Sequence, residues 1–582
     1  MTQIPVRQYW NLLVSYLRAQ RRRVTLLAIL LLGTTGLELL NPQILRYFID
    51  AAKGNSAGSA LVSAALLFIA IALVQQVVAV GTTYLSENVA WTATNALRAD
   101  LARHVLDLDM HFHNLRTPGE LIERIDEDVT SLANFFSQFV IVVLGNALLI
   151  GGILLLLFRE HWSIGLLASV FTVLATIIMN KGRNRTAPHW VAARQTSADL
   201  SGYLEERLAG IEDIRSSGAT AYKMRLLYGH MRSMMKHYRD ARVIGGVGPA
   251  GAAGLYNLAF GGALALGAYW FSRGAMTVGS IFLVSYYVRQ MERPLRLIMN
   301  QVEDLQRAGA SIQRVEELVR TESRVQDGPG ASFPAGPLAV EFQNVSFAYH
   351  PERPVLRDLS LRLEPGNVLG LLGRTGSGKT SITRLLLRLY DPAAGAVRVA
   401  DVDVRQATLA QLRERIGMVT QEVQLFRGTI RENLALFDER VPDTAMLHAI
   451  EELGLGAWFR SLPEGLDTLV GAGGNSLSAG EAQLLAFTRV LLKDPGIVIL
   501  DEASSRLDPA TERLIEHAVE RLLHNRTGII VAHRLSTVQR VDEIMILENG
   551  RVVEHAPREA LAADPGSRWA QLLRVGMEEA LA

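Results

Sequence analysis

A loop near the middle of the chain has the residue types and spacing that bind a nucleotide's phosphates. It reads Gly373-Arg374-Thr375-Gly376-Ser377-Gly378-Lys379-Thr380, a Gly-x4-Gly-Lys-Thr pattern. Backbone N–H groups of such a loop surround the phosphates, and its lysine and hydroxyl contact the outer phosphates and Mg²⁺. An apolar run, Leu369–Leu372, precedes the loop, and Ser381–Leu389 has the pattern of a helix. Because a helix N-terminus adds unpaired donors and positive dipole, the sequence predicts that residues 373–381 bind ATP or GTP. The alternative is an ordinary glycine-rich turn.

Two carboxylates follow an apolar run later in the chain. Ile497–Leu500 predicts a buried strand, and Asp501 and Glu502 come directly after it. In an enzyme with a phosphate loop, the first acid helps to hold Mg²⁺ opposite Thr380, and the second orients and deprotonates an attacking water. Without the upstream loop, an ordinary pair of acids at the end of a strand would be an equally good interpretation.

A third motif lies between these two. Leu477-Ser478-Ala479-Gly480-Glu481 comes directly before a helical run, Ala482–Leu492. Ser478 and the backbone donors that follow it, including that of Gly480, are therefore expected at the start of a helix. Unpaired donors at a helix start suit a second phosphate contact.

All three motifs lie in a region where strand-like and helical patterns alternate. The strand-like runs are Val340–Phe342, Val368–Leu372, Ile497–Leu500, Ile529–Ala532 and Glu543–Leu547. Such alternation is typical of an α/β layered domain. Upstream, residues 322–338 are rich in Gly, Pro and Ser, which predicts a linker. We therefore expect an α/β phosphate-loop domain over residues 339–575 and a short tail over 576–582.

The first half of the chain has the composition of a membrane domain. A helix needs roughly 20 residues to cross a bilayer, and six apolar stretches predict an all-α, six-helix transmembrane domain over residues 1–321. The stretches are Val24–Ile49, Ala60–Tyr84, Phe135–Phe158, Ile164–Asn180, Gly245–Phe271 and Val278–Val288, the last extended to Leu297. Basic residues cluster before the first stretch and between residues 181 and 242. By the positive-inside rule, the N-terminus and the nucleotide-binding domain are expected on the cytoplasmic side of the cell membrane.

Two long polar connections join the inner ends of the predicted spans. Residues 86–134 and 181–244 have apolar residues at helical spacing, so we expect the helices to continue out of the bilayer. Arms of about 20 to 25 residues would extend roughly 30 Å. The alternative is a pair of helical hairpins without a mechanical role. Within the spans, Glu38 is a charge at bilayer depth, where charges usually face a bundle interior or a water-filled cavity.

The overall composition excludes several classes of function. The net charge of +1 gives no basic field that would attract nucleic acid. The chain has no cysteine, which excludes disulfides, iron–sulfur clusters and thiolate zinc sites. His111 and His113 form a close pair, which we interpret as part of a surface helix or turn rather than a metal site.

Together the motifs resemble the ATP-binding cassette (ABC) family, whose signature reads Leu-Ser-Gly-Gly-Gln shortly before the acidic strand. The resemblance implies ATP and Mg²⁺ as the ligands and Glu502 as the catalytic base. It also implies roles for four further residues: adenine stacking for Tyr349, Mg²⁺ contact and a part in catalysis for Gln421, the inter-subunit loop for Asp508, and γ-phosphate contact for His533.

A six-span unit fused ahead of its nucleotide domain resembles an exporter half-transporter of the multidrug and lipid type. The resemblance implies a dimer, in which each ATP lies between the phosphate loop of one chain and the signature of the other. ATP binding would then drive efflux of a hydrophobic or amphipathic drug, lipid or peptide. Three alternatives remain open: an ATP-gated channel or regulatory subunit, a soluble cassette ATPase acting on nucleic acid, and a half that binds but never hydrolyses nucleotide.

The signature of this chain departs from the family pattern at two positions. Ala479 replaces the first glycine, which adds a methyl group where backbone should approach phosphate closely. Glu481 replaces the glutamine. The loop and the acids look intact whereas the signature looks weakened, so we hypothesise that the chain pairs with a different half-transporter rather than with a second copy of itself.

Overall fold

The computed structural model describes residues 16–54, 58–471, 477–501, 509–532 and 538–575. The side chains of residues 302–307, 509, 510 and 575 are outside this description. Three predicted site residues, Glu502, Asp508 and His533, lie outside the described residues.

The chain divides into two compact units. The first comprises Met1–Leu106 and Pro118–Thr321, and the second comprises Asp107–Thr117 and Glu322–Ala582. Residues 107–117 thus group with the second unit, whereas the sequence placed them in the membrane domain. The reason lies in Asp109, whose carboxylate accepts hydrogen bonds from the backbone N–H of Arg324 at 2.5 Å and from the hydroxyl of Ser323 at 3.3 Å.

The described residues of the first unit form helices joined by short turns, which confirms the predicted helical membrane domain. The helices up to residue 319 are α1 (Arg21–Lys53), α2 (Gly58–Asp107), α3 (Met110–Leu115), α4 (Pro118–Ile122), α5 (Asp128–Gln138), α6 (Gly145–Glu160), α7 (Trp162–Ala209), α8 (Ile211–Ser216), α9 (Thr220–Ser272), α10 (Val278–Gln290) and α11 (Glu292–Val319). Of these, α3 belongs to the second unit. Two π-helical segments, Glu123–Glu127 and Phe139–Leu144, join α4, α5 and α6.

Five helices within the described residues are long and apolar enough to cross a membrane: α1, α2, the run Pro118–Glu160, α7 and α9. They contain the first five predicted spans. Helices α2, α7 and α9 have 50, 48 and 53 residues, about twice the length that a bilayer requires. The polar connections are therefore continuations of the spans, as the sequence predicted.

The sixth predicted span has a different local structure. It coincides with α10, which has 13 residues and is too short to cross a bilayer alone. Met291 keeps helical dihedrals, and the chain continues as α11. Pro294 lies in the first turn of α11. Proline has no backbone N–H, so the carbonyl of Gln290 lacks its usual partner four residues on, and this interrupts an otherwise continuous helix.

The second unit contains the predicted α/β domain. Its strands are β1 (Val340–His350), β2 (Arg353–Leu363), β3 (Val368–Gly373), β4 (Ala394–Val399), β5 (Val402–Asp403), β6 (Ile416–Val419), β7 (Gly428–Thr429), β8 (Leu469–Val470), β9 (Ile497–Asp501), β10 (Thr527–Val531), β11 (Glu543–Glu548) and β12 (Arg551–Pro557). Its helices after α11 are α12 (Lys379–Leu386), α13 (Leu409–Arg415), α14 (Ile430–Ala435), α15 (Asp443–Glu452), α16 (Gly456–Ser461), α17 (Ala479–Leu492), α18 (Pro509–Leu523), α19 (Arg558–Ala563) and α20 (Arg568–Val575).

A six-stranded sheet with the order β12-β11-β3-β10-β9-β6 forms the centre of this unit, beside a four-stranded sheet with the order β2-β1-β4-β5. Strands β3, β6, β9, β10 and β11 run parallel. Strands β9 and β10 are buried along their full length, as is typical of parallel strands covered on both faces. In β10, Val531 is paired with Leu371 of β3 and with Asp501 of β9. The phosphate loop and Asp501 therefore leave the sheet at the same edge.

Candidate functional site

The phosphate loop connects β3 to α12, as the sequence predicted. Three of its glycines, Gly373, Gly376 and Gly378, have positive φ angles that favour glycine. Gly373 has a φ of +147°, and a Cβ there would stand 2.4 Å from the carbonyl oxygen of Leu547. Gly376 has a φ of +82° and faces open space. The loop is thus packed tightly against the sheet at its start and open at its middle, where Arg374, Thr375 and Gly376 are exposed.

Lys379 lies at the first position of α12 and is only 5% exposed. Its Nζ donates hydrogen bonds to the carbonyl oxygens of Gly373 at 2.5 Å and Arg374 at 3.1 Å. The hydroxyl of Ser377 is also buried and has no hydrogen-bond partner among the described residues. A buried cation and an unpaired buried hydroxyl are groups that a bound phosphate would satisfy.

The start of α12 keeps its backbone donors open. Its N-cap is Gly378, which has a φ of +111° and no side chain to cap the helix. Thr380 is exposed, whereas Ser381 is buried. The first N–H groups of a helix have no partner within the helix, so this end of α12 can donate to an anion without losing a cap.

Tyr349 lies beside this helix. Its hydroxyl is 3.1 Å from the Oγ of Ser381 and accepts a hydrogen bond from Arg384 at 3.1 Å. Tyr390 contacts its ring edge-on, with 5.1 Å between ring centroids. The predicted adenine-stacking residue belongs to strand β1. The structure thus places it next to the helix that follows the phosphate loop.

Asp501 and Gln421 follow neighbouring strands. Asp501 is the last residue of β9 and is 9% exposed. Gln421 lies two residues after β6 and is exposed. Strands β6 and β9 are parallel partners, with Val419 opposite Leu500. Both residues therefore lie at the sheet edge that carries the phosphate loop.

The signature motif begins α17, as predicted, and forms a closed cap. The hydroxyl of Ser478 accepts from the backbone N–H of Glu481 at 3.3 Å, and the Glu481 carboxylate accepts from the backbone N–H of Ser478 at 2.7 Å. The indole N–H of Trp458 also donates to this carboxylate, at 3.0 Å. Ser478 is exposed and Gly480 is buried.

The Glu481 carboxylate is held in its charged form. Partial burial raises its pKa, but the hydrogen bonds from Ser478 and Trp458 outweigh burial, so the pKa of Glu481 lies below its ordinary value. The first turn of α17 therefore carries a negative charge at neutral pH. The spacing Ser-x-x-Glu is the sequence mark of a capping box and could have predicted this local arrangement. Trp458 is 23 residues away, and no local pattern pointed to it.

The comparisons with known proteins agree with this architecture. Residues 24–295 match the family described as ABC transporter transmembrane region, and residues 356–505 match the family described as ABC transporter. A fatty acid ABC transporter ATP-binding/permease protein of Mycobacterium bovis is 31% identical over 470 residues, which cover 81% of this chain and 74% of the relative. An ATP-dependent lipid A-core flippase of Chromohalobacter salexigens is 30% identical over 511 residues, 86% of each protein.

A solved structure gives the same result. The structure of a bacterial Atm1-family ABC exporter with ATP bound has a TM-score of 0.79 to this chain at 26% identity, and the match covers 95% of this chain and 98% of the other. The resemblance seen in the motifs is thereby confirmed. With a membrane region fused ahead of an ATP-binding domain, the chain belongs to the ABC transporter family and is an exporter half-transporter, an ATPase coupled to transport across a membrane.

Proposed function

We propose that the chain is one half of a heterodimeric exporter in the cell membrane that uses Mg²⁺ and ATP to move an amphipathic lipid. In this proposal the N-terminus and the nucleotide-binding domain are cytoplasmic. The basic residues before the first span and along the polar connections support that orientation, because cytoplasmic loops carry the positive excess.

In the proposed site, residues from several elements contact different parts of the nucleotide. Residues 373–381 hold the phosphates and Tyr349 stacks on the base. Thr380, Gln421 and Asp501 offer hydroxyl, amide and carboxylate oxygens, the donor types that Mg²⁺ prefers. Glu502 activates the attacking water and His533 contacts the γ-phosphate. The nucleotide bound by the partner chain is contacted by Ser478, Gly480 and Asp508.

The observation that carries the heterodimer proposal is the charge at the start of α17. The Glu481 carboxylate accepts the backbone N–H of Ser478 and opposes the positive end of the helix dipole. A γ-phosphate of the partner's nucleotide would approach the same helix end, where a fixed negative charge repels it. Ala479 adds a methyl group at the same place. A partner with an unaltered signature would supply this chain's own nucleotide with a better contact.

The lipid cargo is supported by two features. The relatives named above are a fatty acid transporter and a lipid A-core flippase, and both compounds are amphiphiles with acyl chains. Within the membrane unit, the Glu38 carboxylate accepts a hydrogen bond from Gln290 at 3.1 Å. A charge paired with an amide at bilayer depth suits a cavity that receives the polar end of an amphiphile.

A vesicle assay tests the proposal. The chain and a co-expressed half-transporter from the same genome are reconstituted in sealed vesicles, and movement of a fluorescent fatty acid is followed with and without ATP. We expect ATP-dependent accumulation against the gradient, its loss in the variant Glu502→Gln, and retained nucleotide binding in that variant. Glu516 is exposed on α18, so Glu516→Gln serves as the matched control and should transport normally.

Two results would contradict parts of this proposal. Downhill movement that ATP only switches on would identify a gated channel rather than a pump. Substantial ATP hydrolysis by Glu502→Gln would show that another residue is the catalytic base.

A further inference from the structure

Helices α7 and α9 cross in backbone contact at two glycines. A Cβ on Gly182 would stand 2.9 Å from the Cα of Gly248, and a Cβ on Gly248 would stand 3.4 Å from the Cα of Gly182. A side chain at position 182 would therefore collide with the backbone of α9, whereas one at position 248 would be at contact distance. The backbones of the two helices are therefore close together at this point.

A groove of roughly 360 Å³ lies beside this crossing. Its apolar wall is formed by Ile178 of α7 and by Val243, Ile244 and Val247 of α9. Val243 and Val247 are each 66% exposed. Two large apolar side chains on one helix thus border an open groove that the described residues of this chain leave uncovered.

Two cations complete the groove. Lys181 and Arg185 line it from α7 and lie one helical turn apart. Among the described residues, neither makes an ion pair or hydrogen bond to a side chain. The sequence has no Asp or Glu between Glu160 and Asp199. Like charges four residues apart on a helix repel each other, so an external anion would stabilise this pair.

The position along the chain sets the depth of the groove. The fourth apolar stretch ends at Asn180 and the fifth begins at Gly245. Ile178 and Val247 therefore lie on the hydrocarbon side of the membrane boundary, and Lys181 and Arg185 lie on the headgroup side. Basic pockets between transmembrane helices at this level suit anionic headgroups.

We propose that this groove binds an anionic phospholipid from the leaflet around the long helical extensions. One acyl chain lies along Ile178 and Val247, and the phosphate lies between Lys181 and Arg185. A soluble anion would leave the apolar wall bare, and a zwitterionic headgroup would bring a cation toward two others. The occupant is a resident lipid rather than the cargo, so this inference is independent of the proposed function.

The absence of cysteine from the chain gives a direct test. The variant Val247→Cys provides the only thiol, which is labelled with bimane in the full-length protein. The labelled protein is placed in nanodiscs, without ATP, that contain brominated phosphatidylglycerol or brominated phosphatidylcholine at equal fractions. We expect the phosphatidylglycerol to quench the fluorescence at least about threefold more effectively, and Lys181→Gln/Arg185→Gln to remove this preference.

Two further variants act as controls. Arg225→Gln/Arg232→Gln removes the same charge from exposed positions of α9 outside the groove and should keep the preference. Lys181→Arg/Arg185→Lys keeps both charges and should also keep it, which guards against loss of folding in the glutamine variant. Equal quenching by both lipids, no quenching by either because protein covers the groove, or equal loss in both charge-removing variants would overturn the proposal.

Discussion

The nucleotide-binding domain has two helix starts that we propose to contact phosphate, and they differ in charge. Helix α12 begins at Gly378, which offers no side-chain cap, and its first residue is the buried cation Lys379. Helix α17 begins at Ser478, and Glu481 closes the cap with a carboxylate. One start is left open for an anion, and the other already carries an anion of its own.

This difference shows that a helix start alone does not define a phosphate site. Both starts have the same dipole and the same set of unpaired donors before capping. A capping box stabilises its helix by satisfying two of those donors, and the same carboxylate opposes an incoming phosphate. If α17 contacts phosphate as proposed, stability and ligand binding compete there, whereas at α12 they do not.

The largest effect is expected at the open start. Lys379→Met removes the buried ammonium that binds the loop carbonyls and is proposed to bind phosphate. We expect affinity for ATP to fall at least about 100-fold, or about 2.7 kcal/mol, measured by equilibrium binding of a fluorescent ATP analogue. Lys493 is an exposed lysine whose Nζ donates to the carbonyl of Ile416 at 3.1 Å. Lys493→Met should lower the melting temperature while leaving nucleotide affinity unchanged.

Tyr349, which lies beside α12, should contribute less than Lys379 to the affinity for ATP. Stacking on a base contributes about 1–3 kcal/mol, so Tyr349→Ala should raise the Kd for ATP about tenfold. Tyr349→Phe keeps the ring but loses the contacts with Ser381 and Arg384, and should raise the Kd less than about threefold. Equal effects of the two variants would argue that the hydroxyl, rather than the ring, contacts the nucleotide.

At the start of α17, removal of the Glu481 charge should improve function rather than impair it. Glu481→Gln keeps a side chain that can close the capping box but removes the charge. Since a charge at a helix end contributes about 0.3–1 kcal/mol, we expect ATP turnover of the dimer to rise about two- to fivefold in a steady-state assay. Trp458→Phe removes only the hydrogen bond to Glu481 and should not raise turnover. A decrease in Glu481→Gln would contradict the proposed repulsion.

The smallest effect is on the pH dependence of stability. The pKa of Glu481 is lowered in the folded chain, below an unfolded value of about 4.3. Its stabilisation is therefore complete above about pH 4.3 and is lost as the pH falls through the folded-state pKa. The difference in melting temperature between wild type and Glu481→Gln should narrow on acidification. A difference that widens would show that the charged form is not the stabilising one.

Much of this architecture could be predicted from local sequence patterns. The loop, the strand before it and the helix after it have a fixed spacing, and the predicted strand at Val368–Leu372 matches β3 closely. The long helices also follow from pattern, because apolar residues at helical spacing continue from the spans into the polar connections. Proline at position 294 could have predicted the break before α11, since its effect depends only on the missing N–H.

Contacts between distant segments could not be predicted in this way. Asp109 caps α3 by accepting from the N–H of Phe112 and also binds Ser323 and Arg324, more than 200 residues away. Asn114 of the same helix donates to the hydroxyl of Tyr390. These contacts assign residues 107–117 to the second unit, and neither segment carries a pattern that points to the other. The hydrogen bond between Trp458 and Glu481, which are 23 residues apart, is likewise a contact that no local pattern predicts.

The steady-state ATPase rate of the full-length chain purified alone tests the central claim most directly. The measurement is made in nanodiscs at saturating Mg²⁺ and ATP. We expect the ATPase rate of the dimer of identical chains to be within a few-fold of the residual rate of the Glu502→Gln variant. Co-assembly with a half-transporter that carries an unaltered Leu-Ser-Gly-Gly-Gln signature should raise the rate. Turnover of identical chains above about 1 s⁻¹, the lower end of typical enzyme rates, would contradict the claim that this signature is weakened and needs a different partner.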